Sequence, residues 1–226
     1  MSTLYIVATP IGNLGDITLR ALEVLKSVDL VAAEDTRTAR KLLSANGISK
    51  RLFSCNAHAE EQAANRIIEE LSSGIDVAYT SDAGTPGLSD PGRLLVSLVR
   101  EAGFPIVPVP GVSAFTTLLC IAAPRGKGVL FEGFLSPKSG RRRRRLAELC
   151  EMDVPFVLFE SPFRVLKLLA DIADISNTRR VFIGREMTKM HEEYLSGTAS
   201  ELLKVLGERP QQKGEFSILV EAEKNN

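Results

Sequence analysis

Ser81–Gly92 reads SDAGTPGLSDPG, and this stretch with its two flanks decides the fold. Before it, Asp76–Thr80 (DVAYT) is a short apolar run of strand type. After it, Pro91 opens a periodic stretch through Leu94, Leu95, Leu98, Val99 and Ala102, closed by Gly103. The order is strand, glycine-rich turn, helix, and it predicts Asp90 as N-cap with Pro91 at the first helical position. Three glycines and two prolines fix the turn and leave backbone bare for an approaching group. Asp82 and Asp90 bring carboxylates to the carboxyl end of a strand, where open α/β sheets bind their ligands. The turn has neither the Lys spacing of a P-loop nor a G-x-G-x-x-G, so it matches neither common nucleotide site. A plain tight turn is the alternative for one such loop taken alone.

Outward from this centre the same rhythm recurs. Leu4–Ala8 (LYIVA), Leu30–Ala33, Arg51–Ser54 and Ile106–Val109 read as short strands, each followed by a loop and then a helical stripe. The loops Pro10–Asp16, Glu34–Arg37, Cys55–Glu60, Ser81–Asp90 and Pro110–Ala114 all fall after strands, and that repetition raises the site reading above chance. It predicts an α/β domain with a largely parallel sheet over residues 1–124. The rhythm breaks at Pro124–Gly128, where a boundary is expected, with a second α/β domain over 125–226. There, strands are expected at Val129–Phe131, Pro155–Phe159, Val181–Gly184 and Ser217–Ala222. Glu132–Gly140 reads as a mobile loop before a helix opened by Arg141–Arg145.

Composition narrows the class. Of 226 residues, 44% are hydrophobic and 25% charged, which is ordinary for a globular protein. Twenty-eight basic and 28 acidic residues cancel, so a polyanion partner needs a local patch rather than a global field. Cys55, Cys120 and Cys150 lie far apart, and two histidines do not complete a zinc site. No metal is expected, and a reducing, cytoplasmic setting fits the cysteines. The uncharged stretch between Glu101 and Arg125 is broken by Pro105, Pro108, Pro110 and Gly111, so it is no membrane span, which needs ~20 helical residues.

Taken together, Thr9–Asp16 (TPIGNLGD), Glu34–Arg37 (EDTR), SDAGTPGLSDPG, Pro110–Ala114 (PGVSA), Arg185–Lys189 (REMTK) and Gly214–Phe216 (GEF) resemble the ribosomal RNA small-subunit methyltransferase I family. This is a bacterial branch of the tetrapyrrole-methylase-like (class III) methyltransferases, and the match runs in order over nearly the whole chain. The resemblance implies S-adenosylmethionine-dependent 2′-O-methylation of a cytidine in the decoding centre of 16S rRNA, within the 30S subunit. It also implies two α/β domains with the methyl donor in the cleft between them, and a homodimer. Carried over by position, Pro10, Ile11 and Gly12 supply backbone contacts to the donor. Asp82, Ala83 and Gly84 occupy its methionine- and ribose-binding turn, and Ser113 and Ala114 the second donor loop. Phe159, Met187, Gly214, Glu215 and Phe216 form a second-domain wall. The segment SCNAHAE at Ser54–Glu60 carries fewer His and Asn residues than that family's pattern, and ESPFR at Glu160–Arg164 has Phe where a His-Arg pair is usual.

A ribose hydroxyl is a weak nucleophile, so a general base is sought among Glu34, Asp35, Asp82, Glu160, Glu186 and His58. Asp35, in the branch-specific EDTR motif, is the preferred candidate; capping the next helix, with Arg37 as ion-pair partner, is its structural alternative. Arg125–Arg145 holds eight basic residues (Arg125, Lys127, Lys138 and Arg141–Arg145) against one acid, Glu132. Arg37, Lys138, Arg141, Arg142 and Arg145 are therefore the expected RNA contacts. The bland alternative pairs the run with Glu148, Glu151 and Asp153. Two further functions compete: methylation of a tetrapyrrole or protein side chain, and a non-enzymatic RNA-binding module.

Overall fold

The computed structural model describes residues 2–126 and 128–223; Lys127 of the basic run lies outside them. The chain forms two compact units, Met1–Ser113 and Ala114–Asn226.

In the first unit, β1 (Leu4–Val7), β2 (Leu30–Ala33), β3 (Arg51–Ser54), β4 (Val77–Thr80) and β5 (Ile106–Val109) make one sheet in the order β3-β2-β4-β1-β5. Every ladder in it is parallel, as the unbroken apolar runs predict. Side chains alternate across the sheet. Leu4, Ile6, Leu30, Ala32, Val77 and Tyr79 join one core with α3 (Glu60–Ser72) and α4 (Arg93–Glu101). Tyr5, Val7, Val31 and Ala78 join the opposite core with α1 (Leu19–Ser27) and α2 (Thr36–Ala45). With both faces covered, all connections cross over through helices, and the strand-end loops collect at one end of the sheet.

The start of α4 differs from its expectation. The helix begins at Arg93, and the Glu60 carboxylate of α3 accepts from the amides of Gly92, Leu94 and Leu95 at 2.9, 3.0 and 3.1 Å. A distant carboxylate thus satisfies the donors that a local Asp90 cap was expected to take.

The second unit opens with α5 (Ala114–Ala122), which packs on β8 and β10 of its own sheet. The two units therefore part ahead of the break in rhythm at Pro124. That sheet contains β6 (Leu130–Phe134), β7 (Phe156–Glu160), β8 (Arg180–Arg185), β9 (Glu193–Thr198) and β10 (Phe216–Val220) in the order β6-β7-β10-β8-β9. Only β6 and β7 run parallel; the other ladders are antiparallel. Helices α6 (Ser139–Glu151), α7 (Val165–Ile175) and α8 (Ala199–Gly207) cover one face. Of Glu132–Gly140, expected as a mobile loop, Glu132–Phe134 end β6, Ser139 and Gly140 open α6, and residues 135–138 connect them outside both elements. Strand β9 has no counterpart among the expected elements.

The arginine run is sorted by helical period. Arg142 is buried and its Nε donates to Asp171 at 2.7 Å. Arg143 reaches Asp171 and Asp174, and Arg145 reaches Glu132 and Glu148. Arg141 and Arg144 are exposed. The expectation that Arg142 contacts RNA is therefore corrected: its guanidinium is consumed inside the second unit. Of the acids foreseen as partners, Glu148 is one, while Asp153 pairs with Arg179 instead.

Candidate functional site

Three strand-end loops of the first unit are stitched together by short-range contacts. Thr9 and Gly84 exchange two backbone hydrogen bonds of 2.9 Å, an isolated antiparallel bridge joining the loops after β1 and β4. Gly84 sits at φ +76°, and a Cβ there would lie 3.4 Å from Ile11 Cγ2. The Thr85 hydroxyl donates to the Val112 carbonyl at 3.2 Å, and Gly111 lies so close to Ala8 that a Cβ would approach to 3.0 Å. Pro10, Ile11, Gly12, Asp82, Ala83, Gly84 and Ser113 are thereby brought to one end of one sheet. Ala114, their neighbour in sequence, opens α5 of the second unit.

Acidic side chains cross-link the loops after β2 and β4. The Asp82 amide donates to Glu34 Oε2 at 3.1 Å, and the Asp35 amide donates to Asp82 Oδ1 at 3.1 Å. Burial, with the neighbouring carboxylates, pushes both Glu34 and Asp82 above the ordinary carboxylate range. Asp35 is the opposite case. It caps α2 by accepting from the Arg37 amide at 2.8 Å, and its carboxylate lies 2.6 Å from the Arg37 guanidinium. Hydrogen bonding to Arg37 holds its pKa down at about 2. The geometry satisfies the cap reading in full and leaves Asp35 the weakest proton acceptor of the three. Arg37 is exposed but committed to this pair.

Beside these loops is a cleft of about 290 Å³, lined among others by Pro10, Gly12, Thr38, Lys41, Leu42 and Asp82. A larger cavity, about 520 Å³, lies in the second unit among Arg125, Arg179, Phe182 and Glu221. None of the strand-end loop residues lines it, so volume alone does not choose the site.

In the second unit, the loops after β8 and before β10 are equally close. Glu186 N donates to Glu215 O and Glu215 N to Glu186 Oε1, both at 3.0 Å. Lys189 bridges the Glu186 and Glu215 carboxylates at 2.8 and 3.0 Å. A side chain at Gly214, at φ +88°, would displace Glu186, because a Cβ there would run into Glu186 Cγ. Glu186 and Thr188 themselves adopt φ of +49° and +68°, a costly conformation for non-glycine residues. Met187 is buried. Phe216 begins β10 with its ring in the core, so that ring does not offer the contact expected of it. Phe159 stacks edge-on between Phe131 and Phe134, with centroids at 5.1 and 5.9 Å.

Sequence reasoning misses the Glu34–Asp82 link and the Glu60 cap. Both join residues far apart in the chain, so no local spacing announces them.

Comparison with known proteins follows the same lines. A family profile described as Tetrapyrrole (Corrin/Porphyrin) Methylases matches residues 3–203. The ribosomal RNA small subunit methyltransferase I of Borrelia garinii subsp. bavariensis is 50% identical over 218 residues, covering 96% of this chain and 97% of that protein. The protein of the same name from Neisseria meningitidis serogroup B is 48% identical over 219 residues, covering 96% of this chain and 75% of its own length. Among solved structures, the methyltransferase CobJ superposes with a TM-score of 0.74 at 15% identity, covering 98% of this chain and 95% of that one, a likeness of fold.

Proposed function

The chain belongs to the tetrapyrrole methylase family, on the branch of ribosomal RNA small subunit methyltransferase I, and from that premise we propose that it methylates small-subunit rRNA with S-adenosylmethionine as donor. The finer reading is 2′-O-methylation of a cytidine in the decoding centre of 16S rRNA, by a homodimer. The observation that supports methyl transfer at this site is the Thr9–Gly84 bridge, with the Glu34 and Asp82 carboxylates beside it.

That site suits a donor cationic at both its ammonium and its sulfur. Asp82 presents an exposed carboxylate oriented by the Asp35 amide, on a loop held by the Gly84–Thr9 bridge. Pro10, Gly12, Asp82 and Ala83 are the residues that would hold the donor, with Ser113 on the neighbouring loop. When bound, S-adenosylmethionine supplies an electrophilic methyl group. Much of the acceleration of such a displacement comes from positioning, which loops locked by backbone hydrogen bonds provide without reorganisation.

The chain's own proton chemistry falls to Glu34. Its raised proton affinity makes it the better acceptor for the ribose hydroxyl proton, in place of Asp35. Asp35 keeps the loop in shape through its amide and its cap.

Incubating the protein with labelled donor and undermodified 30S subunits, then mapping the label, tests the reading. One 2′-O-methylated cytidine is the expected product. Label on a base, on another nucleotide type or on protein would overturn the finer assignment, and absence of label the whole.

A further inference from the structure

Two loops of the second unit meet at the carboxyl ends of its parallel strand pair. Phe134 ends β6 opposite Phe159 of β7, and β7 closes one residue later at Glu160. The loop Ser161–Arg164 is fastened to the loop after β6. Arg164 Nη1 donates to the Leu135 carbonyl at 3.4 Å, while its Nη2 lies 2.6 Å from the buried Glu160 carboxylate. Next to each partner of that Arg164–Leu135 hydrogen bond stands a phenylalanine. Phe163 is 89% exposed and Phe134 57% exposed. Single exposed apolar residues are common, but two such rings on clamped neighbouring loops form a patch.

Exposed basic side chains follow the loop after β6. Lys138 precedes α6, and Arg141 and Arg144 follow at steps of three, which keeps them on one side of the helix. All three are exposed. The nearby acids are consumed: Glu160 by Arg164, Glu132 by Arg145, Asp171 by Arg142 and Arg143. Exposed rings beside a row of cations suit a polyanion with flat apolar faces. The core of a protein-docking patch is depleted of charged groups, whereas exposed Lys138 and Arg141 follow Phe134 closely in the chain.

We infer that this surface of the second unit binds single-stranded RNA, with a base stacked on Phe163 and phosphates running along Lys138, Arg141 and Arg144. The inference rests on the proposed function and gives it a substrate-docking surface. It replaces the buried Arg142 and the paired Arg145 with Phe134, Phe163 and Arg144, none of which is among the RNA contacts expected from the sequence.

The test uses the full chain, undermodified 30S subunits and a fluorescein-labelled single-stranded RNA oligonucleotide. Phe163→Ala should raise the oligonucleotide Kd and the KM for 30S subunits by roughly 5- to 150-fold, as removal of one stacking platform does. Donor affinity, which reports folding, should not change. Lys138→Ala/Arg141→Ala/Arg144→Ala should lower the salt slope of RNA binding by about 0.7 for each phosphate that the variant no longer neutralises, again with donor affinity intact. Parent-like RNA affinity and salt slope in both variants would overturn the surface. So would a Phe163→Ala chain that keeps its RNA affinity and loses self-association, since the patch would then face a second copy. Oligonucleotide binding weakened by these variants, without methyl transfer by the parent chain, supports the surface and removes the proposed function.

Discussion

The two units hold their loops with different bonds. In the first, the loops after β1 and β4 are joined by a pair of backbone hydrogen bonds between Thr9 and Gly84, and the carboxylates beside them accept main-chain amides. In the second, Glu186, Lys189 and Glu215 lock the loops with charged side chains, and Arg142 and Asp171 carry an ion pair into the interior. The charges of these second-unit junctions are consumed by structure. In the first unit charge is held in place but kept available, which is the condition for chemistry on a cationic donor and a hydroxyl acceptor. Neutralising an acid should therefore cost activity in the first unit and stability in the second.

The sharpest test is Glu34→Gln, which should lower turnover by about 10²–10⁴-fold, the usual contribution of a general base, with donor affinity and melting temperature near those of the parent. Because burial raises the folded pKa of Glu34 above the ordinary 4.5, the parent's rate should fall on acidification through a point above 4.5, and the Gln variant should lose that limb. Unchanged turnover would break the comparison on its functional side. Next in size, Asp171→Ala strands the Arg142 guanidinium in the interior and should cost about 3–5 kcal/mol in urea unfolding. A decrease under about 1 kcal/mol would show that the buried pair is structurally idle.

Gly214→Ala places a Cβ against Glu186 and demands positive φ, so it should cost about 2–4 kcal/mol. Parent-like stability would mean that the charged junction yields easily. If Asp82 holds the donor as proposed, Asp82→Ala should weaken donor binding by about 1.5–3 kcal/mol, roughly one to two decades by calorimetry, while the fold persists. If donor affinity holds, the exposed Asp82 carboxylate serves something else. The smallest effect belongs to Asp35→Asn, because Asn caps as well as Asp. Turnover near the parent's is expected, and a large drop would restore Asp35 as the base. Hydrogen bonding to Arg37 lowers the pKa of Asp35 to about 2 from the ordinary 3.8, so its stabilising effect is present above 3.8 and vanishes as pH falls towards 2. The Asn variant should lack that part of the acid sensitivity.

Much of the frame is legible locally. The apolar runs at Leu4–Val7 and Leu30–Ala33 are buried central strands, and in such strands burial on both faces leaves no alternation to misread. Strand β9 escapes because an edge strand reading EYLSGT mixes polar and apolar residues and is exposed at Tyr194. The donor-loop glycines are legible because close approach of main chains selects for them. The arginine run misleads for the opposite reason: five identical letters hide a helical period that buries one and exposes two. Its acid partners Asp171 and Asp174 sit on α7, beyond a whole strand, and only the packed unit brings them within reach.

Strand order also sets a timetable for the chain as it is synthesised. Strand β1 is made first yet lies between β4 and β5, so it waits about 100 residues, roughly 5–20 s at ordinary elongation rates, for its partners. The second unit has the reverse problem. Its middle strand, β10, is made after the other four, and until Phe216–Val220 emerges the sheet remains as the separate pairs β6–β7 and β8–β9. Both nascent units thus expose unpaired strand edges for long periods, the condition in which aggregation competes and chaperones are recruited.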